Sequence, residues 1–84
     1  MTVSNKFVTL NFSHDSKNEF VAIMHSVLDN VKFDAFETYT EEFEGSYRTD
    51  VYLTGDIETI LRSVEVSYEN KSIDCSWNVD TLLD

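Results

Sequence analysis

The chain has 84 residues and carries sixteen acidic side chains against six basic ones, a formal net charge of −10. That length makes one domain, residues 1–84, and a 42% hydrophobic, 13% aromatic composition is too apolar for a disordered acidic protein. The charge opposes nucleic acid and anionic membrane as direct partners.

Lys6 to Phe12 alternates, with Val8, Leu10 and Phe12 on one face and Phe7, Thr9 and Asn11 on the other, which predicts a strand. After the polar break Ser13-His14-Asp15-Ser16, Ser16 and Glu19 fit a capping box. Phe20, Ile23, Met24, Val27, Leu28 and Val31 then recur at helical spacing. Val31 to Phe43 reads as a long strand, with Val31, Phe33, Ala35, Tyr39 and Phe43 towards the core. Glu44-Gly45 supplies a turn into a returning strand that points Tyr47, Val51 and Leu53 inward.

Asp56 is the expected cap of a second helix carrying Ile57, Ile60, Leu61 and Val64. Beyond Ser63 two readings stay open. The helix runs to Tyr68, or it stops and Val64, Val66 and Tyr68 begin a final hairpin, the reading that the β-branched residues favour. Ile73, Cys75, Trp77 and Val79 alternate inward after the turn Glu69 to Ser72. In the tail, Leu82 and Leu83 are candidates to dock on the body. The expected architecture is α+β: a ferredoxin-like β-α-β-β-α-β sandwich, two helices on one face of an antiparallel sheet, with room for an extra C-terminal strand. Phe7, Phe12, Phe20, Phe33, Phe36, Phe43 and Trp77 are available for its core.

Catalytic and ligand chemistry has little to stand on. His14 falls on a turn and His25 off the apolar stripe of the first helix, and two histidines with one cysteine lack the spacing of a metal site. No metal or cofactor is expected. Cys75 is the only cysteine, so no internal disulfide forms, and its strand parity predicts a buried apolar role rather than a thiolate nucleophile. Lack of disulfides and of an apolar leader over Met1 to Lys6 makes the cytoplasm the expected compartment. Glu41-Glu42-Phe43-Glu44 lacks the alternating ligands of a calcium loop.

The sheet face away from the helices is expected to carry Phe7, Thr9 and Asn11, then Asp34, Phe36, Thr38 and Thr40, then Arg48, Asp50 and Tyr52. Lys6 to Phe12 resembles the first motif of an RNA-recognition module, but the Gly- and Lys/Arg-rich second motif has no counterpart in Tyr47 to Leu53. Exposed aromatics on a sheet more often make a protein contact or a dimer seam.

From Phe33 to Tyr47 the acids Asp34, Glu37, Glu41, Glu42 and Glu44 occur without any Lys or Arg. A domain of this length is roughly 30 Å across, and duplex DNA of that length carries roughly 18 charges. The net charge of −10 is a little over half that density. In size, acidity and scarcity of cysteine the whole chain resembles the small accessory proteins of bacteriophages, anti-restriction and anti-CRISPR inhibitors and DNA mimics among them. That resemblance implies a non-enzymatic inhibitor occupying a basic nucleic-acid-binding surface of a host defence or nucleic-acid enzyme. The expected contact residues are Asp34, Phe36, Glu37, Glu41, Glu42, Glu44, Asp50 and Tyr52. The alternative is a small regulatory or assembly domain that homodimerises through Phe7, Phe36 and Tyr52.

Overall fold

A computed structural model describes residues 4–83 of the chain. Six elements follow in order: β1 (Ser4–His14), α1 (Lys17–Asn30), β2 (Ala35–Phe43), β3 (Ser46–Thr54), α2 (Ile57–Glu69) and β4 (Ser76–Leu83). The strands form one sheet in the order β2-β3-β1-β4, and every neighbouring pair is antiparallel. β1 and β2 therefore run parallel with β3 between them, and β3 and β4 run parallel with β1 between them. Each helix crosses over one strand to join such a pair. The expected α+β architecture, four antiparallel strands and two helices, is the one adopted.

The core forms where the apolar stripes meet. Val8, Leu10 and Phe12 of β1 and Val51 and Leu53 of β3 pack against Met24 and Val27 of α1 and Ile60 and Val64 of α2. Seven of these nine, all but Phe12 and Met24, are fully buried. Each contributes roughly 1.5–3 kcal/mol of transfer free energy. Both helices thus lie on one face of the sheet. The aromatic core is smaller than the composition suggests. Phe12 is buried and Phe20, Phe33 and Trp77 pack against the cluster, but Phe36 and Phe43 are exposed.

Caps set the helix starts as the sequence predicts. The Ser16 hydroxyl accepts from the Glu19 N–H, and the Glu19 carboxylate reaches back to the N–H of Asp15, one residue before the expected partner. Asp56 accepts from both the N–H and the hydroxyl of Thr59, and these bonds hold its carboxyl below the ordinary value of 3.8.

Three expectations need correction. Val31 caps α1 instead of opening a strand: its N–H bonds the Val27 carbonyl, and β2 begins only at Ala35. The favoured final hairpin does not form, and among the described residues there is no fifth strand. α2 runs through Val64, Val66 and Tyr68 to Glu69 because Ile60, Val64 and Ser67 hold one buried face, which outweighs β-branched propensity. Ile73 and Cys75 are buried in the loop before β4, not on the strand. The side chains of Leu82 and Leu83, the candidates for docking, lie outside the described ones.

The end of α2 carries no ordinary stop signal in the sequence. The Ser72 N–H bonds the Ser67 carbonyl and the Lys71 N–H bonds that of Tyr68, the paired bonds of a Schellman motif. The left-handed residue such a motif needs is usually Gly; here it is Lys71, at φ 62°. Lys71→Gly is expected to stabilise the domain by about 1 kcal/mol in urea unfolding. Gly55 gives the opposite sign. It sits at φ 146°, and a Cβ there would stand 3.0 Å from the Asp34 backbone nitrogen. Gly55→Ala should therefore lower the midpoint in the same assay.

Candidate functional site: the outer hairpin

The β2–β3 hairpin is built from its turn outward. Glu44 and Gly45 both have positive φ, 49° and 84°, as a two-residue turn matched to strand twist requires. The turn closes on Phe43 and Ser46, and the register then runs unbroken to Ala35 and Thr54. Val51 and Leu53 face the helices, so their partners Thr38 and Phe36 face the same way, with Thr40 and Glu42. Glu37, Tyr39, Glu41 and Phe43 face the open side.

This reverses the expected parity of β2. Phe36, Thr38 and Thr40 belong to the helix side, while Tyr39 and Phe43, read as core, stand on the open face, 55% and 70% exposed. The physical reason is the fixed turn: with Ser46 opposite Phe43, any residue paired with an inward β3 side chain is itself on the inward face. The helices nevertheless stop short of β2, and all nine of its residues are exposed on both faces.

The proposed contact residues are accordingly divided. Glu37, Glu41, Asp50 and Tyr52 share the open face, with Glu37 opposite Tyr52 and Glu41 opposite Arg48. Phe36 and Glu42 point to the helix side, where Phe36 meets Phe33 edge-to-face at 5.6 Å. Asp34 precedes β2, its N–H bonded to the Thr54 carbonyl, and Glu44 is at the turn. The dimer seam of Phe7, Phe36 and Tyr52 is split as well. Phe7 and Tyr52 touch edge-to-face at 5.8 Å on the open face, but Phe36 is on the other.

Residues missed from the sequence complete the open face. Tyr39 joins Glu37 and Glu41. On β4, Asp80 accepts from the Thr9 hydroxyl at 2.9 Å and from the Asn78 amide at 3.1 Å. Among the described residues, four acids, Glu37, Glu41, Asp50 and Asp80, thus share this face with one cation, Arg48. Arg48 stands 3.9 Å from Asp50 with its side chain 61% exposed, so the pair contributes little stability and leaves the face acidic. Counting pairs outward from Glu44-Gly45 identifies Tyr39; Asp80 requires the β1–β4 register.

The remaining chemistry is dispersed. His14, expected on a turn, ends β1 and is buried. It stacks on Tyr47 at 5.6 Å and its Nε2 lies 2.9 Å from the Thr49 hydroxyl, which meets the Thr40 hydroxyl at 2.8 Å. His14 borders a hollow of about 380 Å³ with Phe20, Thr40 and Tyr47. Cys75 lies elsewhere, buried beneath an open groove of about 850 Å³ between α1 and the loop before β4. Its thiol is pushed up to about 11 from 9.0, chiefly by burial; a backbone hydrogen bond at Asp74 opposes the shift and the charge of the Asp74 carboxylate adds to it. Among the described residues no group of three or more His, Cys, Asp or Glu converges as metal ligands would. Nor is any described helix long and apolar enough to cross a membrane. No protein family, curated protein or solved structure matches the chain.

Two measurements follow from these environments. Between pH 9 and 11 the unfolded chain loses the Cys75 proton that the folded chain keeps, so this contribution to stability falls as pH rises through that window. Thiol labelling at pH 8 should be slow in buffer and fast in denaturant; equal rates would contradict a sealed thiol. Thr49→Val removes the hydroxyl between His14 and Thr40 and should cost roughly 1–3 kcal/mol in chemical unfolding.

Proposed function

We propose that this chain is a non-enzymatic protein-binding inhibitor, a DNA mimic whose outer hairpin and open sheet face occupy a basic nucleic-acid-binding surface of a host enzyme. The observation that carries this reading is the stretch Asp34 to Gly45. Every residue in it is exposed, five are acidic, and none is Lys or Arg. Glu37 and Glu41 are held on a strand, where residues four apart sit ~13–14 Å from each other, rather than on a mobile tail. Their fixed spacing lets one rigid surface meet several cations at once, and the acidic field speeds encounter with a basic groove.

The scaffold supports a ferredoxin-like reading, in which two β-α-β units interleave and leave one sheet face free of helices. Small acidic accessory proteins of bacteriophages, anti-restriction and anti-CRISPR inhibitors among them, share this size and charge. The place of action on this reading is the cytoplasm, where host nucleic-acid enzymes work. A homodimer seated on the open face is the second reading, and the Phe7–Tyr52 pair is the feature that favours it.

The test is capture of proteins from bacterial lysate on the immobilised chain. Partners should be retained at low salt, released at about 0.5 M salt, and displaced by added duplex DNA. The triple variant Glu37→Lys, Glu41→Lys, Asp50→Lys should lose them while keeping its melting temperature. Retention that ignores both DNA and charge reversal would sink the mimic. A salt-resistant dimer in light scattering, abolished by Tyr52→Asp, would favour the second reading instead.

A further inference from the structure

β2 is one of the sheet's two edge strands, β4 being the other, and its far edge has no neighbour among the described residues. In a two-residue hairpin, Phe43 and Ser46 form a hydrogen-bonded pair, and bonded and non-bonded pairs alternate from there along an antiparallel ladder. The N–H and C=O groups of Phe36, Thr38, Thr40 and Glu42 therefore point away from β3 at the free edge. Proteins usually blunt such an edge with a short strand, a bulge, Pro or Lys. β2 has none of these: it is nine residues long, its register is unbroken, and it contains neither Pro nor Lys.

What protects this edge is negative charge, and that selects its occupant. Antiparallel pairing of two copies about Tyr39 would set Glu37 opposite Glu41 twice, a like-charge contact that destabilises a sheet. A strand carrying Lys or Arg meets the reverse situation. Glu37, Tyr39 and Glu41 stand on one face at alternate positions, so cations spaced four residues apart on the incoming strand meet a carboxylate each. An aromatic ring lies between them for cation–π contact. We infer that the free edge of β2 docks an extended basic segment of a partner protein, which adds to the sheet as a fifth strand. Backbone bonds supply the affinity and the two carboxylates the selection. This inference rests on the acidic-surface reading and names the form the partner takes there.

The probe is a labelled synthetic peptide, Thr-Lys-Thr-Val-Thr-Lys-Thr, titrated into the full chain by fluorescence anisotropy. A second peptide of the same sequence carries N-methyl groups at alternate backbone nitrogens, which keeps the charge and removes edge donors. The first should bind, and N-methylation should weaken it about tenfold or more. Thr38→Pro, which removes an N–H aimed at the free edge and leaves the β3-facing bonds in place, should weaken it equally. Glu37→Lys with Glu41→Lys should do the same, and the amides of residues 36, 38, 40 and 42 should gain protection from hydrogen exchange. If Thr38→Pro perturbs folding, the methylated peptide on the unaltered chain decides whether backbone pairing is used.

Equal binding of both peptides that is lost only on charge reversal would overturn edge docking and leave the acidic surface standing. Failure of the plain peptide to bind, with salt-sensitive lysate partners still captured, would do the same. Binding indifferent to charge reversal would overturn the basic occupant. A dimer in sedimentation that Thr38→Pro dissolves would assign the edge to a second copy instead.

Discussion

Everything in this fold depends on the burial of β1 along its helix-facing side. Val8 and Leu10 are fully buried between sheet neighbours on both flanks and helices above. A strand so placed has to satisfy its backbone on two edges, so β3 and β4 are fixed beside it. It also has to be roofed by apolar side chains, which draws α1 and α2 over the same few residues. Two helices centred on β1 cover its neighbours in part and leave β2, the strand farthest from β1, without cover.

That limited roof gives the hairpin its properties. The radius of gyration is 13.3 Å, against about 12 Å for a compact chain of this length, in keeping with a sheet wider than its helical layer. β2 is held by β3 alone, through main-chain bonds and the register that the Glu44-Gly45 turn imposes. Apart from Phe36, which meets Phe33, and Thr40, whose hydroxyl bonds that of Thr49, its side chains carry no packing duty towards the helices. This is why glutamates and large aromatics coexist on one strand at no cost to the core. The same freedom makes the acidity of this segment a candidate for selection by a partner rather than by folding.

Periodicity makes much of this legible. The alternation of Val8, Leu10 and Phe12, the helical stripe of α1 and the caps at Ser16 and Asp56 give element order and type. Two failures have distinct physical causes. Val64, Val66 and Tyr68 suit either period, and only the burial of Ser67 beside Val64 distinguishes helix from strand. The signal for the helix end is masked because Lys71 occupies a position where Gly is the usual mark. The parity of β2 is a different kind of error, since its information is present in the chain. Tyr47, Val51 and Leu53 inward, with a two-residue turn at Glu44-Gly45, already require Phe36 and Thr38 inward. Aromatic content at Tyr39 and Phe43 suggests the opposite only when hydrophobicity is weighed ahead of pairing geometry. The residues expected to make contact consequently lie on or beside one hairpin and divide between its two faces.

The pairing of β1 with β4 also orders events as the chain folds. Thr9 and Asp80, joined by a hydrogen bond, are 71 positions apart, whereas the β2–β3 hairpin closes over two residues. Closing the short loop costs little entropy and hairpins form in microseconds, while the long closure has to be stabilised by helices already in place. The segment proposed to meet a partner is thus the one that can organise earliest, and the seam between β1 and β4 is the last to close. Destabilisation at that seam would show itself in the unfolding rate, with the folding rate little changed.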